Sequence, residues 1–255
     1  MKLRLPIALL AGWMAASAAP PPAPRPGIIQ ARTYHFAAAK KDLPFSLYVP
    51  KKFDRQKKYP LVVALHGLFS SHAQIIRYPG LVTQAEKHNC IVVAPQGYNS
   101  RGWYGSRGQR SDSTSPRNLG ELSEQDVMNV IRIVRKELPV DPRRIYLMGH
   151  SMGGGGTWHL GMKYPKMWAA LAPLAPAPPR NIGDLKKIKG TPVIVVCGGR
   201  DFLVGSARKW VARMKELEMN HRYIEVPKGG HILPVIQKLP EVFTFIIQHR
   251  RPDAD

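Results

Sequence analysis

A chain of 255 residues with 44% hydrophobic content can bury one sizeable core, and its regular alternation of apolar runs with helical patterns argues for a single α/β domain. Its 38 Lys and Arg stand against 17 Asp and Glu, a formal net charge of +21 that favours anionic surfaces or substrates. Zinc-finger spacing, an RNA-binding aromatic signature and a helix-turn-helix signal are all missing from the sequence, and the cations are spread from Lys40 to Arg251. Nucleic acid is therefore not expected as a partner, and an anionic envelope or polysaccharide surface is the simpler reading of the charge.

The first residues read as a secretory signal peptide over 1–18. Lys2 and Arg4 supply positive charge, 5–16 is apolar, and Ala16-Ser17-Ala18 is a small-residue cleavage motif. Cleavage one residue later would put Pro20 directly past the scissile bond, where a locked φ and a missing N–H are unfavourable. The apolar run is shorter than the roughly 20 residues that span a bilayer, which leaves an uncleaved anchor as the alternative. A Pro/Ala-rich leader over 19–31 cannot pack a core, so the folded domain is expected over 32–250, secreted or periplasmic after processing. Although export permits a disulfide, Cys90 opens one predicted strand and Cys197 closes another. They belong to opposite ends of a parallel sheet and are expected to be reduced.

Taken in order, 32–36 and 45–49 are short aromatic and β-branched runs that predict an antiparallel hairpin of edge strands. LVVAL at 61–65 has the continuous apolar character of a strand covered on both faces, and it stops at His66-Gly67, where a loop begins. A helix over 80–88 and a second buried strand over 91–94 follow. Residues 96–118 form the longest stretch without periodicity. Long loops of this kind are often functional, so its Trp103 and Tyr104 are candidates for a substrate-binding wall, the alternative being a loop stapled to the body by its own aromatics. Val127, Val130, Ile131, Val134 and Leu138 share one face of a helix over 121–138, with Ser123 as its expected N-cap and Pro139 as its stop. Beyond the strand that starts at Ile145, further strands are expected over 168–174, 193–196 and 223–226, and helices over 206–219 and 234–248. Only about twenty residues join the strands ending at 174 and starting at 193, too few for a folded cap domain.

The chemistry is carried by IYLMGHSMGGGGTW at 145–158, where an aliphatic run breaks into G-x-S-x-G and a glycine-rich helix start. Serine on so sharp a strand-to-helix turn needs near-bare neighbours, here Gly149 and Gly153, and stands exposed at the tip as a nucleophile. A glycine-rich turn that merely packs tightly or binds phosphate is the competing reading. Serine needs a base, and the base needs an acid on its other nitrogen. Of the five acids between Ser151 and the glycine-flanked His231, only Asp201 directly follows a buried parallel strand. Ser151, Asp201 and His231 are thus the catalytic candidates. The backbone N–H groups of Met152 and Leu68 are candidates for the oxyanion hole, and Phe69 for a pocket wall. His150 is grouped with the substrate-binding candidates, although its side chain is expected to point away from the nucleophile and to serve packing or hydrogen bonding. The remaining histidines form no pair at metal spacing beside a carboxylate, so no metal site is expected.

With GHSMGG after a strand, an HG loop upstream and the chain order Ser, Asp, His, residues 34–249 resemble the α/β-hydrolase superfamily. Within it, LHG, the RIYLMGHSMGGGGTW elbow and the missing cap look like the secreted carboxylesterase and predicted-peptidase branch, which includes feruloyl and polyhydroxybutyrate-depolymerase-like esterases. The resemblance implies a mostly parallel central sheet with helices on both faces and an antiparallel N-terminal hairpin. It further implies a serine esterase that needs no cofactor but does not name the ester; Trp103, Tyr104 and Phe69 as a binding wall are consistent with an aromatic or polymeric substrate. A peptidase on the same fold and a noncatalytic protein that binds envelope polymer are the two alternatives.

Overall fold

The computed structural model describes residues 23–108 and 116–252; the expected signal segment 1–18 and residues 19–22 of the leader lie outside them. Strands β1 (Gln30–Phe36) and β2 (Lys41–Tyr48) form the antiparallel hairpin, turned by the 3-10 segment Ala37–Ala39 and by Lys40 at a left-handed φ of 49°. Six strands follow, each parallel to its neighbours among them: β3 (Tyr59–Leu65), β4 (Ile91–Pro95), β5 (Val140–His150), β6 (Ala170–Leu174), β7 (Val193–Gly198) and β8 (His221–Val226). The sheet order is β1-β2-β4-β3-β5-β6-β7-β8. This is the α/β-hydrolase arrangement, an open and mostly parallel sheet.

Helices α1 (His72–Ile75), α2 (Leu81–Lys87), α3 (Leu119–Glu137), α4 (Met152–Lys163), α5 (Val204–Glu216), α6 (Leu233–Gln237) and α7 (Leu239–Ile247) connect or follow the strands. From β3 the chain steps to β4 on one side, then returns across β3 to β5 and continues through β8. Right-handed crossovers with this reversal put α2 on one face and α3, α4 and α5 on the other. Helix α7 touches α2, β6 and β7, so it closes the α2 face. Covered from both sides, β3, β4, β6 and β7 are buried along their whole length, which is why their sequences carry no charged or strongly polar residue and are dominated by Val, Ile, Leu and Ala. Burying each such aliphatic side chain contributes about 1.5–3 kcal/mol. Among the described residues no helix is long and apolar enough to cross a membrane.

Three sequence expectations change. Of the two hairpin strands only β1 is an edge strand: β2 pairs with β1 on one side and β4 on the other, and its uncharged FSLY segment is almost fully covered. Ser123 does not cap its helix, because α3 starts four residues earlier, at Leu119; its buried Oγ accepts a hydrogen bond from the Tyr104 N–H at 3.0 Å instead. The last helix is two, broken at Lys238. Pro240 lacks an N–H and its ring crowds the carbonyl four residues back, so the helix restarts rather than runs through. Both cysteines are buried and free, as expected.

The reversal of chain direction sits between β3 and β5, and their following loops diverge to leave a crevice at the carboxyl edge of the sheet. Leu65 of β3 pairs with Gly149 of β5, and His150 pairs with Leu174 of β6, so all three strands end at the same level. A Cβ on Gly149 would fall on the carbonyl of Gly153, and one on Gly153 would fall on the carbonyl of Leu65. Backbone cannot swing aside as a side chain can. Gly149→Ala is accordingly expected to lower unfolding free energy by about 2–3 kcal/mol. Gly190→Ala, where a Cβ meets nothing within 4 Å, should stay within about 0.5 kcal/mol of the parent in the same denaturant titration.

Candidate active site

Ser151 follows β5 directly and has φ 58° and ψ −114°, a conformation that L-residues rarely hold. The surrounding backbone fixes it. Its N–H donates to the Leu174 carbonyl at 2.9 Å, and its carbonyl accepts from Ala177 at 3.0 Å and Gly155 at 3.1 Å. The turn therefore hangs on β6 and its exit as much as on its own strand. Strain of this kind, of order 1–3 kcal/mol, persists only where neighbours over-determine it and is concentrated at functional sites.

Asp201 and His231 arrive on two loops that interlock through bare backbone. Gly199 donates to Val226, Arg200 donates to Gly229 at 2.9 Å, and a Cβ on Gly198 would fall on the carbonyls of Gly229 and Gly230. This contact carries His231 onto Asp201, with His231 Nδ1 2.8 Å from Asp201 Oδ2. The Asp201 side chain is fully buried, and its other oxygen accepts the Leu203 N–H at 2.8 Å. Because a carboxylate oxygen accepts, Nδ1 of His231 carries the proton and Nε2 of the neutral ring keeps its lone pair. His231 and Ser151 line one cavity of about 490 Å3, together with Gly67, Leu68, Phe69, Tyr78, His150, Phe202 and Ile232. Ser151 Oγ has no hydrogen bond to His231 here; such bonds are often long until substrate binds.

His150 lies in this cavity as a support. Its ring is 4.7 Å from that of His231, its Nε2 is 3.0 Å from the His231 carbonyl, and its Nδ1 is 2.8 Å from the Tyr78 hydroxyl. A carbonyl only accepts, so Nε2 donates and Nδ1 takes the tyrosine proton. The ring is neutral in that pattern. Burial, and then the nearby His231, push its pKa down to about 4, while burial raises that of Tyr78 and keeps its hydroxyl a donor.

Neither the Leu68 nor the Met152 backbone N–H has an acceptor among the described residues. Met152 is the first residue of α4, where no intrahelical partner exists, and its side chain is buried below the turn. The Leu68 turn is held by Phe69 N–H donating to Ser100 and Ser70 N–H donating to Gly67. Phe69 is 67% exposed and lines the cavity.

Trp103 and Tyr104 are corrected: neither lines this cavity. Tyr104 is fully buried, packed where a Cβ on Gly156 would clash, and its hydroxyl accepts from the His66 N–H at 3.0 Å and donates to the His66 carbonyl at 3.2 Å. Trp103 is buried too, beneath the Arg107 guanidinium. The aromatics pin the loop because burying them gains more than exposure would, and His66 adds ring contacts to the Gln96 and Gly67 carbonyls at 2.7 and 2.8 Å. Sequence reasoning missed Tyr78 and Phe202. Nothing local marks Tyr78, whose partner is 72 residues away. Phe202 left a signal, an aromatic directly after the candidate acid in a loop; it is 79% exposed with its ring 4.7 Å from that of His231.

A family model described as "Putative esterase" matches residues 37–223. The chain belongs to the Esterase family. The S-formylglutathione hydrolase of Bos taurus is 28% identical over 149 residues, 54% of this chain and 52% of that protein, so the alignment spans about half the length of this curated relative. A thermostable esterase of known structure is 27% identical, with a TM-score of 0.68 over 88% of this chain and 63% of its own. The ferulic acid esterase of Anaeromyces mucronatus, solved with ferulic acid, is 19% identical with a TM-score of 0.70, covering 87% of this chain and 90% of its own, a likeness of fold.

The neutral His150 ties this Esterase-family site to pH. An unfolded chain takes up a proton on this residue as pH falls from 6.5 towards about 4, whereas the folded chain refuses it, so stability falls through that window. His150→Asn should flatten the decline of Tm between pH 6.5 and 4.5 relative to the parent; parallel profiles would mean that His150 is not its source.

Proposed function

We propose that this protein is a serine hydrolase of carboxylic esters that works through an acyl-enzyme. The observation that carries the reading is the left-handed Ser151 sharing one cavity with a His231 whose Nδ1 proton is pinned 2.8 Å from buried Asp201. That tautomer leaves Nε2 as the only ring atom able to take the serine proton.

In the proposed mechanism Ser151 Oγ attacks the ester carbonyl as its proton passes to His231 Nε2, and Asp201 stabilises the imidazolium. The carbonyl oxygen, now negative, accepts from the Met152 and Leu68 N–H groups, each worth on the order of 3 kcal/mol in such a transition state. The imidazolium returns its proton to the departing alkoxide. Water then adds to the acyl-serine with His231 as base, the acid leaves, and one water has been consumed for each ester cleaved. His150 stays neutral beside His231, so no second positive ring opposes the imidazolium. Phe69 and Phe202 suit an apolar or aromatic substituent, in keeping with the ferulic acid bound by the structural neighbour from Anaeromyces mucronatus.

Purified parent, Ser151→Ala and Asp201→Asn would be assayed on a p-nitrophenyl ester series and methyl ferulate at matched folded content. Each substitution should remove roughly four decades of kcat with folding retained. A parent inactive on every ester would sink the reading and leave peptide cleavage or simple binding to be tested. The reading includes export, on the strength of residues 1–18: protein recovered from the medium or periplasm should begin at Ala19 on amino-terminal sequencing.

A further inference from the structure

The walls of the candidate cavity are apolar, but its mouth is charged with one sign. The loops that follow the carboxyl ends of the parallel strands carry, among their described residues, Arg101, Arg107, Arg117, Arg180, Arg200 and Lys228. The only acid in those same residues is Asp201, which is buried and already bonded to His231. Six cations to one spent acid is far more lopsided than the 38 to 17 of the whole chain. By contrast the opposite edge of the sheet mixes signs, with Asp54 facing Lys57 and Asp141 facing Arg144 and Arg250.

One of the six is fixed at the cavity. The Arg101 guanidinium lies 5.0 Å from the centre of the Phe69 ring, and Phe69 walls the cavity beside Ser151. No carboxylate pairs with that guanidinium among the described residues, and the residue's backbone N–H donates to Asn99 Oδ1. Stacking on an aromatic face holds the planar fork while leaving its N–H donors in the plane free, which suits a planar, bidentate acceptor. A focused positive potential over low-dielectric walls also raises the local concentration of anionic substrate.

We propose that Arg101 is a specificity residue and that the enzyme selects esters carrying a carboxylate at the end of an apolar segment. This rests on the hydrolase reading above. The apolar segment lies along Phe69 and Phe202, the carboxylate reaches Arg101, and the scissile carbonyl stays at Ser151.

The test uses full-length protein and two matched pairs of substrates. These are mono-4-nitrophenyl adipate against 4-nitrophenyl hexanoate, and mono-4-nitrophenyl suberate against 4-nitrophenyl octanoate, each rate divided by that of its own hydroxide-catalysed hydrolysis. At low salt kcat/KM should favour the anionic member of at least one pair by about tenfold or more, falling as ionic strength rises. Arg101→Gln should cut that ratio by about fivefold, chiefly through KM of the anionic ester, the size expected for loss of one charge-assisted contact at a partly exposed site. Lys52→Gln, an exposed cation between β2 and β3 at the far edge, should change it less than about twofold, since screening separates it from the mouth. A ratio near or below one in both pairs, or equal effects of the two substitutions, overturns the specificity assignment while leaving the hydrolase intact. Failure to cleave any of the four esters overturns the hydrolase reading itself.

Discussion

The left-handed turn at Ser151 is the constraint on which the rest of the molecule depends. A non-glycine residue at φ 58° is held there by hydrogen bonds to Leu174, Ala177 and Gly155, and by glycines on either side that let two backbone segments touch. Two of those partners belong to β6 and its exit and the third to α4, so the geometry of Ser151 is a property of how three parallel strands are levelled. A slip of one residue in β5 would turn Gly149 to the wrong face and put a side chain against the Gly153 carbonyl. The apolar runs of β3, β6 and β7 are buried in any register once helices cover both faces, so the close backbone approaches at Gly149 and Gly153 are what select this one.

Proton placement follows from the same rigidity. Asp201, His231, His150 and Tyr78 form a chain in which each donor and acceptor role is dictated by a group that can only accept or only donate. Asp201 fixes His231 from one side, and the carbonyl of His231 fixes His150 from the other. The second ring is thereby kept neutral next to the first, a condition that burial reinforces. This matters for the proposed acyl transfer, in which a charged neighbour would oppose formation of the imidazolium.

The long loop after β4 shows how aromatic burial and surface charge divide the work. Trp103 and Tyr104 go inward and tie the loop to α3, α4 and His66. Arg101 and Arg107 are left outside, each above an aromatic ring. With its aromatics spent on holding the loop, the apolar surface of the cavity comes from other loops, from Phe69 after β3 and from Phe202 after β7. An open, apolar cleft under a cationic mouth is the result.

Much of this was legible in the sequence because it is written in local chemistry. The elbow needs glycine two residues to each side of serine, buried parallel strands need apolar runs, and acid and base at the ends of such strands must face one edge. The α/β architecture was therefore readable from residue types and order alone, and the same reading named Ser151, Asp201, His231 and the Met152 and Leu68 amides as candidates. What local pattern did not contain, tertiary contact decided. Whether Trp103 and Tyr104 face solvent or core depended on an opening beside Gly156 that forms only when α4 packs. Whether Ser123 caps a helix or receives the Tyr104 N–H depended on a loop nineteen residues earlier. Tyr78 and His150 became partners, and Arg101 came to rest on Phe69, because strands distant in sequence end at one level. Side-chain patterns specify which groups must be buried or turned; only the assembled sheet, by bringing those ends together, specifies which of them meet.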